Sequence, residues 1–224
     1  PNGEPRVGKY LRIGAPITDQ VRNRVKRTVE SFVAQAKQRG QWSVLIFEIQ
    51  SGRTEFGAAA ELAKYLTGAS LNGATTVAYV PRSLTGHGVL IALACNEIAI
   101  HKDGVNETTE FGDASIYDAA IDQVMTAGYR EIAEKRRTVP LPIALKMLDK
   151  NLELLQVETE SSREFVLRGD LDELKNRKAV SEPKMVIAAG RLERVEREVD
   201  SVVDGRQVVQ PWSAIGVADG DEIA

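Results

Sequence analysis

Two short stretches of this chain bring together hydroxyls, an imidazole and glycines in a pattern that could do covalent chemistry. Gln50-Ser-Gly-Arg-Thr-Glu-Phe-Gly57 holds the Ser51 hydroxyl beside Gly52. Arg82-Ser-Leu-Thr-Gly-His-Gly88 holds the Ser83 and Thr85 hydroxyls, the His87 imidazole and the glycines Gly86 and Gly88. A hydroxyl becomes a nucleophile only when a nearby base takes its proton. Backbone N–H groups at a glycine loop or a helix start can hold an oxyanion. As a functional group His87 would bond a bound peptide or act as a base toward water; the plainer reading, a polar residue closing the start of a helix, is preferred. Cys95 lies inside an apolar run and reads as core, and His101 as a strand-end surface residue. Glu107 and Glu110 are the carboxylates best placed for acid–base work, but their Asn-Glu-Thr-Thr-Glu surroundings read as surface. Two histidines and one cysteine are a poor ligand supply for zinc, so no metal is expected.

These stretches are set between elements that the pattern makes legible. Lys9 to Ala15 reads as a strand broken by Pro16. Thr18 then offers an N-cap, and Val21, Val25, Val29, Phe32, Val33 and Ala36 recur at helical spacing up to Gly40. Ser43 to Ile49 is nearly continuously apolar, as in a strand buried on both faces. Ala58 to Leu66 reads as a second helix, Thr75 to Val80 as a strand, Gly86 to Cys95 as a short apolar helix and Glu97 to Ile100 as another strand. Strands alternating with helices at this spacing predict an α/β fold with mainly parallel pairing. From Tyr117 to about Lys178 the pattern turns helical and charged, with Pro140 and Pro142 as breaks. Lys184 to Ala188 and Gln207 to Val209 look like late strands, and Arg191 to Asp200 like a solvated surface element. No G-x-G-x-x-G follows the Val44 to Ile49 strand, which argues against a nucleotide cofactor.

The chain's 224 residues, 43% hydrophobic and 27% charged, suffice for one large domain with a real core and exclude global disorder. A net charge of −3 gives no general basic field, so nucleic acid is not an expected partner. The longest apolar run, Val89 to Cys95, falls far short of the ~20 residues needed to cross a bilayer. A proline at residue 1 suggests a piece of a longer protein, in which flanking signal or membrane segments would decide the compartment.

The stretch Thr76-Val-Ala-Tyr-Val-Pro-Arg-Ser-Leu-Thr-Gly-His-Gly-Val-Leu-Ile-Ala-Leu-Ala-Cys-Asn-Glu-Ile-Ala-Ile100 resembles the nucleophile region of the Clp protease/crotonase superfamily, in particular the NfeD-like, Clp-class membrane serine proteases and signal peptide peptidase A. Phe47-Glu-Ile-Gln-Ser-Gly-Arg53 is similar to their strand ending in a Ser-Pro-Gly-Gly loop. Glu110-Phe-Gly112 sits where they carry a substrate-lining turn, and Ile215 to Ile223 looks like their Gly-Leu-Val-Asp exit. The resemblance implies a Clp/crotonase-type spiral of strand–strand–helix units with a charged helical C-terminal region, the domain covering residues 1–190. Residues 191–224 would be an extension closing the same domain, where the match is weak. It further implies a polypeptide or protein partner, membrane association through flanking segments, self-association and no cofactor. Ile143, Leu145, Met147 and Leu148 are the apolar positions expected to serve self-association.

Carried over residue by residue, the family's catalytic set is incomplete. Aligning Ile91-Ala-Leu93 with the usual Ile-Ala-Leu puts the nucleophile position on Gly86, which has no side chain. Thr85 and Ser83 reach that position only by a shift of register. No lysine lies between Asp103 and Glu134, where Ser–Lys members carry the base; Ala120 is the best estimate of that position, Lys102 and Lys135 only flank the region, and Arg130 stays protonated. Clp-type members place a histidine well downstream, whereas the histidines here are His87 and His101. The oxyanion loop keeps one glycine of two, leaving Ser51, Gly52, His87 and Gly88 as the expected oxyanion or peptide-binding positions. These losses favour an inactive homologue acting as a scaffold or peptide-binding domain. Two enzyme readings stand beside it: a peptidase using Thr85 or Ser83 with His87, and crotonase-like chemistry on an acyl-CoA using Glu107 and Glu110.

Overall fold

The computed structural model describes residues 5–100, 111–159, 162–177, 184–185 and 217–221. Its centre is a parallel sheet. The strands β1 (Arg6–Ile13), β2 (Trp42–Ile49), β3 (Ala74–Val80) and β4 (Glu97–Ile100) lie side by side in chain order, and β8 (Val217–Asp221) adds to the outer edge of β1. The expected strands at Ser43 and Thr75 are parallel neighbours, with Ser43 opposite Ala74 and Glu48 opposite Tyr79. Parallel pairing puts the carboxyl ends of β1, β2 and β3 at one edge, so the loops after them converge there.

Helix α1 (Asp19–Gln38) begins at Thr18, whose Oγ1 accepts the Val21 N–H at 3.3 Å, and buries Val25, Val29 and Ala36. Gly40, at φ +64°, takes the chain out of it at the point the sequence predicts. Helix α2 (Phe56–Leu66) starts two residues before the expected Ala58 and buries Ala59, Leu62, Ala63 and Leu66. Helix α3 (Gly88–Leu93) is buried along its whole length, which explains its unbroken apolar run. One face of the sheet, carrying Leu11, Leu45, Phe47, Ile49 and Val80, packs on these helices. On the other face Val44, Ile46 and Val77 form a smaller cluster with Tyr10, Trp42 and Tyr79.

Helices α4 (Gln123–Arg136) and α5 (Leu141–Leu148) follow, α4 capped by Asp122, whose Oδ1 accepts the Met125 N–H at 2.7 Å. Arg136 donates from Nε to the Ala94 carbonyl at 2.7 Å and from its terminal nitrogen to the Leu66 carbonyl. One guanidinium thereby caps the carboxyl ends of both α3 and α2. The expectation of a helical region from Tyr117 to about Lys178, broken at Pro140 and Pro142, is corrected in its last part: β5 (Leu154–Glu158) and β6 (Arg163–Leu167) form an antiparallel hairpin, followed by α6 (Leu171–Arg177). Leu155, Val157, Val166 and Leu171 bury together, so the period there is two and then helical. Strand β7 (Lys184–Met185) pairs with β5 and covers the start of the expected late strand. The expected strand at Gln207 and the surface element from Arg191 lie outside the described residues. No helix among the described residues is long and apolar enough to cross a membrane.

Candidate functional site

The loops after β1, β2 and β3 meet beside the start of α3. Ser51 Oγ accepts the Thr85 N–H at 2.7 Å and lies 3.0 Å from Thr85 Oγ1, stitching the second loop to the third. Thr54 Oγ1 accepts the Ile17 N–H at 3.2 Å and ties the second loop to the first. Between these two loops runs a groove of about 610 Å³, walled by Ala15, Pro16, Ser51, Gly52, Arg53 and Ala58. A second groove of about 490 Å³ lies along α1 beside Lys9, Arg27 and Gln35, away from the loops, and none of the sequence-predicted site residues lines it.

Gly86, the expected nucleophile position, has φ +72°, and a Cβ built on it would sit 2.7 Å from the Gly52 carbonyl oxygen and 3.2 Å from the Tyr117 ring. Backbone and an aromatic ring therefore occupy the space a serine side chain would need. The Gly86 N–H donates to the Asp113 carbonyl at 3.3 Å, and the Thr85 N–H is taken by Ser51, so two of the turn's donors serve its own architecture. Gly52, at φ +151°, presses on Ala15, since a Cβ there would lie 2.6 Å from the alanine methyl. Gly88 is similarly confined: a Cβ there would lie 3.1 Å from Leu84 Cδ1 and 3.3 Å from Ile49 Cγ2.

His87 does not face the groove. It is 1% exposed, with Nδ1 3.2 Å from the Tyr129 hydroxyl and Nε2 2.9 Å from Asp118 Oδ2. The Nε2–Asp118 approach lies off the line of a good N–H···O bond, and among the described residues neither atom has another partner, so the contact is close but poorly directed. Phe56 packs edge-on to the imidazole at 5.3 Å between centroids and stacks on Tyr129 at 6.5 Å. Burial pushes the His87 pKa below its usual value, outweighing the pull of Asp118 in the other direction. The ring is then neutral near pH 7, and one tautomer serves both neighbours: Nε2–H toward Asp118, with Tyr129 O–H donating to Nδ1. Tyr129 is fully buried, and burial, reinforced by Asp118, raises its pKa well above the usual phenol value.

The sequence-predicted residues are thus divided. Ser51, Gly52, Thr85 and Gly86 come together; His87 adjoins them in sequence but turns inward. Ala120, the expected position of the missing base, lies in an exposed loop before α4 and not on a helix. Cys95 is buried, and burial pushes its thiol up to about 12, which removes it as a nucleophile. His101, Glu107 and Glu110 lie outside the described residues. Asp118, Tyr129, Tyr117 and Phe56 were not singled out in the sequence. Only Tyr129 carried a signal, its place on the apolar stripe of α4 with Ile132 and Ala133. Among the described residues no three His, Cys, Asp or Glu side chains gather as a metal site would require.

No family model matches the chain, and no curated protein matches it. Among solved structures it is similar to a variant of the membrane-bound stomatin-specific protease 1510-N in complex with a substrate peptide, at 17% identity over 66% of this chain and 68% of that one, with a TM-score of 0.47. A second variant of the same protease is similar at 16% identity over 66% of this chain and 72% of that one, with a TM-score of 0.46.

Proposed function

We propose that this chain is a non-catalytic Clp-class, NfeD-like serine protease homologue whose converging loops bind a polypeptide segment or a protein partner. The reading takes residues 1–190 as a Clp/crotonase-type domain and residues 191–224 as the extension that closes it. One observation carries the loss of catalysis: the position for the nucleophile is a glycine whose missing side chain has been replaced, in space, by the Gly52 carbonyl and the Tyr117 ring. Two further features support it. The Ser51 and Thr85 hydroxyls bond each other, and both nitrogens of His87, the one imidazole among the described residues, face Asp118 and Tyr129. Binding is supported by the groove between the first two loops, where the small residues Ala15, Ser51, Gly52 and Ala58 stand beside the charged Asp19, Arg53 and Glu55.

Exposure to a serine-directed fluorophosphonate and selection of binders from an immobilised peptide library together test this reading. No labelling is expected, and selected peptides are expected to lose most of their affinity for Ala58→Trp, which fills the groove wall. Labelling of the unmodified protein that is abolished by Thr85→Ala, Ser83→Ala or Ser51→Ala would establish an active hydroxyl and overturn the reading. Self-association belongs to the same proposal, on a changed surface. Ile143, Leu145, Met147 and Leu148, expected to serve it, are all buried within the single chain. Among the described residues the large apolar side chains left exposed are Ile116, Tyr117 and Val124.

A further inference from the structure

Helix α1 is basic in a chain that is not: it carries five cations against two acids, while the whole chain has a net charge of −3. Two of those cations have partners toward α2. Arg22 bridges Asp19, at 3.1 Å, and Glu61, and Lys26 Nζ stands 5.3 Å over the Tyr65 ring. Arg24 and Arg27 serve another side. With Thr28, Ser31, Phe32 and Gln35 they recur every three or four residues and so share one face of the helix. That face and Lys9 of β1 line the groove of about 490 Å³, and none of the described residues lining it is acidic. Three cations gathered around one groove repel one another, and an anionic occupant relieves that repulsion.

We propose that the groove between α1 and β1 binds an acidic polypeptide segment, whose carboxylates meet Lys9, Arg24 and Arg27. It shares no lining residue with the groove between the converging loops, so this site is independent of the peptide-binding reading. The lining groups are of the right kind. Guanidinium forks take carboxylate oxygens in pairs, and the Lys9 ammonium acts as a point charge. The Thr28 and Ser31 hydroxyls and the Gln35 amide supply donors for the backbone carbonyls of an extended chain. Arg27 Nε already donates to the Asn23 carbonyl at 3.3 Å, and Lys9 and Arg24 are each engaged within the chain, so the ligand shares these cations with their present neighbours. From Arg24 to Gln35 the helix advances about 16 Å, a length that ~5 residues of extended chain cover. Phe32, half-buried against the core, offers an apolar floor to glutamate methylenes. The same residue disfavours a nucleic-acid strand, whose bases need open aromatic faces to stack on. A bilayer is disfavoured as well, because the large apolar side chains exposed among the described residues lie elsewhere, at Ile116, Tyr117 and Val124.

The test is fluorescence anisotropy of a fluorescein-labelled oligoglutamate of about six residues, long enough to fill that face, titrated with the whole chain. Saturable binding is expected at about 0.01 M salt and weaker binding at about 0.1 M, as the screening length falls from ~30 Å to ~10 Å. Arg24→Gln with Arg27→Gln should weaken it about tenfold or more. Lys37→Gln, which removes a cation of the same helix outside the groove, should change it less than about twofold. If the double variant fails to fold, Arg27→Gln alone decides, since Arg27 is exposed on the helix surface. No saturable binding, or an equal loss in Lys37→Gln, would overturn the proposal. Capture of an oligothymidylate or of phosphatidylserine vesicles through Arg24 and Arg27 in place of the peptide would overturn it too. A last rival is the chain's own β8, which pairs with β1 beside Lys9 and carries Asp219 and Asp221 in its sequence. If Asp219→Asn with Asp221→Asn and the arginine double variant lower the melting temperature alike, and the oligoglutamate does not bind, the cations serve that strand and the proposal fails.

Discussion

Gly86 leaves no room for a side chain between the Gly52 carbonyl and the Tyr117 ring. Gly86→Ser is expected to lower stability by about 1–3 kcal/mol, the usual cost of forcing atoms into a packed space, and to give no fluorophosphonate labelling; urea denaturation and a labelling gel check the two halves. Adding a base at position 120 should not change this, since that residue lies in an exposed loop. His87 makes a separate prediction, on stability against pH. Its folded-state pKa is lowered while the unfolded ring keeps ~6.5, so between these values the unfolded chain binds the extra proton. The neutral ring's contribution is therefore fully present above the unfolded value and is lost as pH falls through ~6.5 toward the folded one. The drop in melting temperature between pH 7.5 and pH 5.5 should be smaller in His87→Gln than in the parent protein. At this scale the sequence singled out Gly86 and its neighbours Ser51, Gly52 and Thr85, which the fold brings together. It could not disclose Asp118 or Tyr117, whose part in the site depends on a loop folding back across it.

The elements were legible where one period governed them. Strands β2, β3 and β4 and helix α1 carry an apolar run or a helical stripe with a cap, and they lie within a few residues of expectation. The hairpin of β5 and β6 was hidden because five-residue strands set among charges give too little alternation to outvote the helical pattern before them. Arg136 was equally hidden: in the sequence it is one more cation in a basic helix end, and only the fold brings the carbonyl ends of α2 and α3 to it. Arg136→Ala leaves both carbonyls without this partner and is expected to cost about 2–4 kcal/mol. Arg136→Lys, which offers no planar fork, should recover only part of that. Thermal denaturation of the three proteins checks the order.

For the molecule as a whole, the site depends on the parallel sheet, which gathers the loops after β1, β2 and β3 at one edge. Among the described residues the large exposed apolar side chains are Ile116, Tyr117 and Val124, and Val124, 68% exposed at the start of α4, is the most open of them. If this surface mediates self-association, Val124→Glu should shift the mass measured by light scattering at high micromolar concentration toward the monomer and leave the melting temperature nearly unchanged.

The edge of β1 has another consequence, which unfolds in time as the chain is made. Strands β1 to β4 are complete by residue 100, so their four-stranded sheet can assemble while the rest is still being synthesised. The partner for the free side of β1 is β8, and it leaves the ribosome almost a whole chain later. Throughout that interval a nascent chain offers an unpaired, apolar-backed strand edge to any neighbour that can add a strand. Synthesis slowed between residues 100 and 217 would prolong that exposure, and a chaperone that holds extended segments would be needed most in that window.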